Sequence, residues 1–479
     1  MWFWPASSGR GSISGRCVVD TVQNGPFQAV AVLMPRPGAE VTLHRTLSLR
    51  DVTLLGVACI VGTRWLATAA HAGPGSVTLF LLAGVFFVVP MAQAVGVLAA
   101  RRPQAGGQYV WTRDDFGDWH GFLAFWLYWV GIACWFPNAA MAYMSIAAYA
   151  IDPALVENRP LIVTASVVAI WIGMGANIAG VRVGRWIQNC GGIATWTLVL
   201  LLLAGGGLVY LKRGTATPLD LAPPMAWATL NFWSQIAFAL SGLELLGMMG
   251  GEIRNPEKTI PRAGWMAGGL AVLFYSSATL AMVVVLVPGE TSIVYGIMQV
   301  ARTIAVDLGA PWIPVAFAVL STVTVLGQFG GLGSGTARLS YAAAKDGLLP
   351  EAFGRVHPRW RTPHVSMFAL AGVGTALLLL AQVGDTMRAA YQELVSMMVV
   401  GAFLPYFYIF LSAWKAGLRL APIFGLGVTA MAIAFSVIPT ADITNVWLFE
   451  AKIWGGSLGL LGLGRWIFLR RRVRAEGSG

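Results

Sequence analysis

Two ionisable side chains stand inside long apolar stretches. Arg64 closes Leu54-Leu55-Gly56-Val57-Ala58-Cys59-Ile60-Val61-Gly62-Thr63-Arg64-Trp65, and Glu244 closes Phe238-Ala239-Leu240-Ser241-Gly242-Leu243-Glu244. A charge at the centre of a membrane-length helix costs at least about 2.5–3.5 kcal/mol, so each should face a protein interior or a wet cavity. Gly56 and Gly62 weaken the first helix and let backbone approach a ligand. A helix unwound near 61–64 would free N–H groups for a carboxylate, with Arg64 adding charge-assisted hydrogen bonds. The small residues at 239, 241 and 242 would allow a second break, whose carbonyls could receive an ammonium group. This is the chemistry of binding, and no catalytic residue is assigned. Arg64 and Glu244 could equally neutralise one another, and Phe238 could be a lid or simply core.

Other chemistries lack their parts. The five histidines (His44, His71, His120, His357, His364) are scattered, with no His-Glu-x-x-His and no acidic metal cluster. No metal site, no cofactor and no enzyme activity is expected. Cys17, Cys59, Cys134 and Cys190 show no metal spacing, and the last three read as free thiols in apolar surroundings. Gly106-Gly107 is no phosphate loop, because neither a preceding strand nor a following Lys-Ser/Thr is present.

The elements that must position these residues are apolar runs of membrane length. The 479 residues are 57% hydrophobic and only 11% charged, about half the charge share of a soluble domain. Twelve runs near 20 residues long are expected as transmembrane helices, at about 52–72, 76–98, 119–149, 160–180, 187–210, 228–250, 263–287, 312–334, 364–382, 389–412, 421–438 and 445–469. A β-barrel would instead need short alternating segments. The third run exceeds a span and should be tilted or partly exposed.

The net charge of +11 does not point to nucleic acid, because the 32 basic residues fall between runs in small groups. With both termini cytoplasmic they lie mostly on the inner side, the exceptions being Arg159, Lys212, Arg213, Arg302, Arg388 and Lys452, with Arg64 alone inside a run. This alternation supports an even count and a multi-pass protein of the inner or plasma membrane, a monomer or weak homodimer whose surroundings are lipid. Residues 1–46 read as a loop-like cytoplasmic arm without a secretion signal, and Met34 is a candidate start of translation. Residues 470–479 read as a basic cytoplasmic tail.

The connections carry their own signals. Pro256 and Pro261 mark a rigid turn after the sixth run. The segment Gly335–Gly347 reads as a short interfacial helix stopped by Gly347. Pro103 to Trp111 reads as a Gly-punctuated connection, and all three are expected to anchor loops at the headgroup surface.

With Gly62-Thr63-Arg64, the Pro103–Gly107 stretch, Ser241-Gly242-Leu243-Glu244, Glu252-Ile253-Arg254-Asn255-Pro256-Glu257-Lys258 and Arg338 to Pro350 with His357-Pro358-Arg359, the chain resembles the amino acid–polyamine–organocation transporters. It looks closest to bacterial amino acid permeases such as the glutamate/4-aminobutyrate exchanger group, over about residues 45 to 415. The resemblance implies a five-plus-five inverted repeat, at 47–210 and 228–412, followed by two more helices at 421–469. It implies that backbone around Ile60, Gly62 and Thr63 meets a substrate carboxylate, that Phe238, Ala239 and Ser241, beside Gly242, meet the amino group, and that Phe238 covers the substrate. The chain departs from the family in carrying Arg64 where many members have glycine. It also has no lysine in Gln188-Asn189-Cys190-Gly191-Gly192, where some relatives use one in place of sodium. Substrate exchange, proton coupling and sodium coupling therefore all stay open, with Arg64 and Glu244 as coupling or gating candidates. The expected function is transport of an amino acid or small amine; a transport-inactive amino acid sensor of the same fold is the alternative.

Overall fold

The computed structural model describes residue 45 and residues 47–476, except 105, 180, 224, 361, 383–386 and 440–444. The arm expected at 1–46, with Met34 and Cys17, therefore lies outside the described residues apart from Arg45. All regular structure among the described residues is helical, with one isolated parallel bridge, Leu47 to Ile253.

The first apolar run is two helices, α1 (Leu49–Ile60) and α2 (Arg64–Ala72), bent by 53° at Val61–Thr63. Ser48 and Asp51 form a capping box that fixes the start of α1. The second run is α3 (Gly75–Ala83) and α4 (Val89–Arg101), joined by a π-helical turn into one length. A short helix, α5 (Gln108–Phe116), then occupies the connection that the sequence suggested was loop. Helices α6 (Asp118–Ile151), α7 (Arg159–Ile178) and α8 (Val181–Arg213) follow. The sixth run is again two helices, α9 (Leu230–Ala239) and α10 (Glu244–Met248). The remainder is α11 (Pro256–Val285), α12 (Gly296–Leu308), α13 (Ile313–Lys345), α14 (His364–Ala381), α15 (Met387–Lys415), α16 (Leu420–Ser436) and α17 (Val446–Glu476).

Among the described residues eight helical lengths are long and apolar enough to cross a membrane, and the bent α1–α2 pair makes nine. The interrupted α9–α10 pair, the 17-residue α16 and α17 occupy the other expected positions without meeting the same criterion.

The long third run is the hub of the bundle: 94% of the apolar window of α6 is buried, while its ends at Asp118 and Ile151 are exposed. Its rings interlock, as in the stacked Trp126–Trp129 pair at 5.8 Å, and Gly131 lets its backbone touch that of Gly401 and Ala402 on α15. The Ala-rich stretch before Gly347 is not a separate helix but the end of α13, with Gly347 in the left-handed region (φ +75°) stopping it as expected. The basic tail begins inside α17, which continues to Glu476.

Candidate functional site

The break in the first span is built by neighbours that satisfy its backbone. The Gly62 N–H donates to the Tyr275 hydroxyl at 2.8 Å, and that hydroxyl lies 3.0 Å from the Ile60 carbonyl and 3.3 Å from that of Gly62. Gln328 donates to the Val61 carbonyl at 2.7 Å. The Tyr143 hydroxyl is 3.0 Å from Thr63 Oγ1 and faces the N–H groups of Thr63 and Arg64. An unsatisfied backbone group in a dry interior costs several kcal/mol, so two tyrosines and a glutamine make the interruption tenable. Tyrosine hydroxyls thus occupy the positions at the head of α2 where the sequence suggested a carboxylate.

The second break spans Leu240–Leu243, with Gly242 at φ +123°. A Cβ on Gly242 would lie 3.2 Å from Ile60 Cγ1 and 3.3 Å from the Cys59 carbonyl oxygen. The two interruptions therefore lie against one another. Glu244 serves the second: its Oε2 accepts the Gly242 N–H at 3.0 Å and its Oε1 accepts from Tyr128 at 3.3 Å, with the Tyr406 hydroxyl also beside it.

Arg64, the first residue of α2, is 1% exposed. Its guanidinium lies over Trp65 at 4.2 Å and over Trp135 of α6 at 5.4 Å, and its Nη2 reaches Met398 Sδ at 3.8 Å. Nη1 has no hydrogen-bond partner. Glu244 is not its counterion, so the mutual neutralisation considered from sequence does not occur here. Phe238 packs 5.6 Å from Trp65 and 6.0 Å from Phe403, joining the two breaks through the aromatic layer next to Arg64. Ala239 and Gly242 are buried and Ser241 half-buried. Ile60, Gly62, Thr63, Arg64, Phe238, Ala239, Ser241 and Gly242 are thus brought to one region.

The electrostatics there are one-sided. Cation–π contacts return about 1–2 kcal/mol each when desolvated, whereas removing one partner of a buried ion pair costs about 3–5 kcal/mol. The rings also accept few of the five guanidinium N–H donors. The deficit lies in acceptors and negative charge.

Beside the first break is a small cavity of about 30 Å³, room for about two waters, lined by residues that include Cys59, Gln188, Thr195, Thr324 and Gln328. Close contact of Gly191 on α8 with Gly327 on α13 sets its wall. Gln188 here bonds Asn177 at 3.4 Å.

Sequence reasoning missed Tyr143, Tyr275, Trp135 and Met398, because aromatic and Met residues fill every run and helix register was unknown. It also missed a buried ion pair, Glu393 Oε2 to Lys452 Nζ at 3.0 Å, which binds α15 to α17 and places Lys452 against the bundle instead of in an outer loop. The histidines are less scattered than the sequence implied: His357 and His364 lie with ring centroids 5.2 Å apart. Among the described residues no group of His, Cys, Asp and Glu could hold a metal.

Known proteins match most of this chain. A family profile described as amino acid permease matches residues 47–446. An uncharacterized transporter of Legionella pneumophila is 25% identical over 89% of this chain and 97% of its own length. An uncharacterized transporter of Mycobacterium tuberculosis is 27% identical over 91% of this chain and 94% of its own. A probable agmatine/putrescine antiporter of Lactococcus lactis is 26% identical over 63% of this chain and 65% of its own. The profile, the transporter relatives and the apolar helical bundle agree: the chain belongs to the amino acid permease family, a family of membrane transporters and not of enzymes.

Proposed function

We propose that the protein is a secondary active transporter of an amino acid or related small amine, working by alternating access around the paired breaks. The observation that carries this is the apposition of Gly242 with Cys59 and Ile60, which sets two interrupted helices face to face. Opposed half-helix ends offer N–H groups on one side and carbonyls on the other, the poles a zwitterion needs. Backbone around Ile60, Gly62 and Thr63 would take the α-carboxylate, with Arg64 lining the site beside it, and Phe238, Ala239, Ser241 and Gly242 the amino group, with Phe238 as cover. Tyr143 and Tyr275 would then hold the empty site and yield to substrate.

The same reading makes α9–α10, α16 and α17 spans, for twelve in all. It takes 47–210 and 228–412 as inverted repeats, 421–469 as two further spans, and both termini as cytoplasmic in the inner or plasma membrane. Coupling is assigned to exchange or to protons, with Arg64 and Glu244 as the candidate coupling or gating groups. Sodium is tested alongside.

Purified protein in proteoliposomes should show saturable uptake of at least one labelled amino acid or amine. Loading substrate inside should accelerate that uptake if the protein exchanges. No saturable flux across the panel, with or without internal substrate, would sink the reading. A sensor that binds without moving its ligand is the second reading, favoured by the Gly62 N–H already being held by Tyr275. Thermal stabilisation by an amino acid that is never transported would select it.

A further inference from the structure

Arg64 is a buried cation with no negative charge beside it among the described residues. It stands at the first position of α2, a nine-residue helix whose N-terminal end is itself the positive pole. Cations are ordinarily placed at the opposite end. Among the described residues the two buried carboxylates are committed elsewhere, Glu244 to the Gly242 N–H and Tyr128, and Glu393 to Lys452. Around Arg64 are rings, a thioether and tyrosine hydroxyls.

The neighbouring polar atoms are short of acceptors in the same way. Thr68, one turn along α2, and Tyr391 of α15, which faces Arg64, are both buried, and their hydroxyls face one another with no third partner. That hydroxyl pair, with one O–H left to donate, and a guanidinium Nη1 without an acceptor therefore share one face with the N-terminus of α2. That donor set fits a carboxylate.

We propose, on the footing of the transport reading above, that the substrate delivers this counterion: the transported amino acid carries a second, side-chain carboxylate that seats on Arg64 between Trp65 and Trp135. Family membership alone does not require this, since a relative named for agmatine and putrescine carries cations. A diamine would meet the guanidinium as like charge in a low-dielectric site and be refused.

The test uses pairs that differ in charge but hardly in shape. Wild-type protein in proteoliposomes is challenged with L-glutamate against L-glutamine and L-aspartate against L-asparagine, with L-leucine and agmatine as neutral and cationic probes. Uptake and thermal stabilisation are both read. The acids should compete at concentrations at least about tenfold below their amides, and agmatine should not compete. Arg64→Gln should erase the difference between acid and amide, and Arg64→Lys should keep part of it. Transport of leucine, an amide or agmatine with no preference for the acids would overturn the inference and leave the transport reading standing. An absence of flux and stabilisation across the whole panel would overturn both. The wild-type competition decides even if the variants fail to fold.

Discussion

At the scale of single residues, Arg64 and Glu244 were legible in the sequence because an ionisable group within an apolar run costs too much to be incidental. Their partners were not. Tyr275 is one aromatic among many in a chain with 57% hydrophobic residues, and nothing in its spacing shows that its hydroxyl takes the Gly62 N–H. Tyr275→Phe keeps the ring stacked on Phe80 at 4.9 Å but strands that N–H. It should cost about 1–3 kcal/mol and lower the unfolding temperature in detergent by several degrees; an unchanged melt would show the break needs no such support. Glu244 holds the second break, so Glu244→Gln tests two roles at once. If it carries the coupling proton, the pH profile of uptake should flatten, and an identical profile would leave Glu244 only the structural role of holding the second break.

At the scale of elements, the interruptions were readable from glycine and small residues, while continuity was harder to see. The Ala-rich end of α13 reads locally as a separate helix, yet α13 runs unbroken through Gly330, Gly331, Gly333 and Gly335 and stops only at Gly347. In contrast, Gly242 must be glycine on two counts: its φ of +123° strains any L side chain, and a Cβ would press on Cys59 and Ile60. Gly242→Val should therefore abolish uptake and destabilise the protein by several kcal/mol, measured as loss of the folded peak on gel filtration. Normal folding with full uptake would show that the breaks do not need to touch. The same glycine economy packs α8 on α13 through Gly191 and Gly327, and α6 on α15 through Gly131 and Gly401. Sequence gave no hint of which glycines those would be.

At the scale of the whole molecule, one end of the bundle is tied by a network with Arg102–Asp115 beside it. Leu47 pairs with Ile253 and Glu252, Glu252 binds Arg338 at 2.7 Å, and Asp346 at the end of α13 takes both Arg113 and the Tyr109 hydroxyl of α5. Burial and the bond to Asp346 push the Tyr109 phenol well above its usual range, so it stays a donor at neutral pH. The proposed alternating access would require this end to open, and Cys59 lines the small cavity beside the first break. In a background with the other cysteines replaced by serine, Glu252→Gln with Asp346→Asn should raise thiol labelling of Cys59 severalfold relative to the intact network; equal labelling would remove the network from gating. A structure of the protein with bound substrate tests the central claim most directly. The ligand should lie between residues 60–64 and 238–242, its carboxylate at the head of α2 and its ammonium at the end of α9. A ligand seated elsewhere in the bundle, or two helices running unbroken past it, would contradict the account.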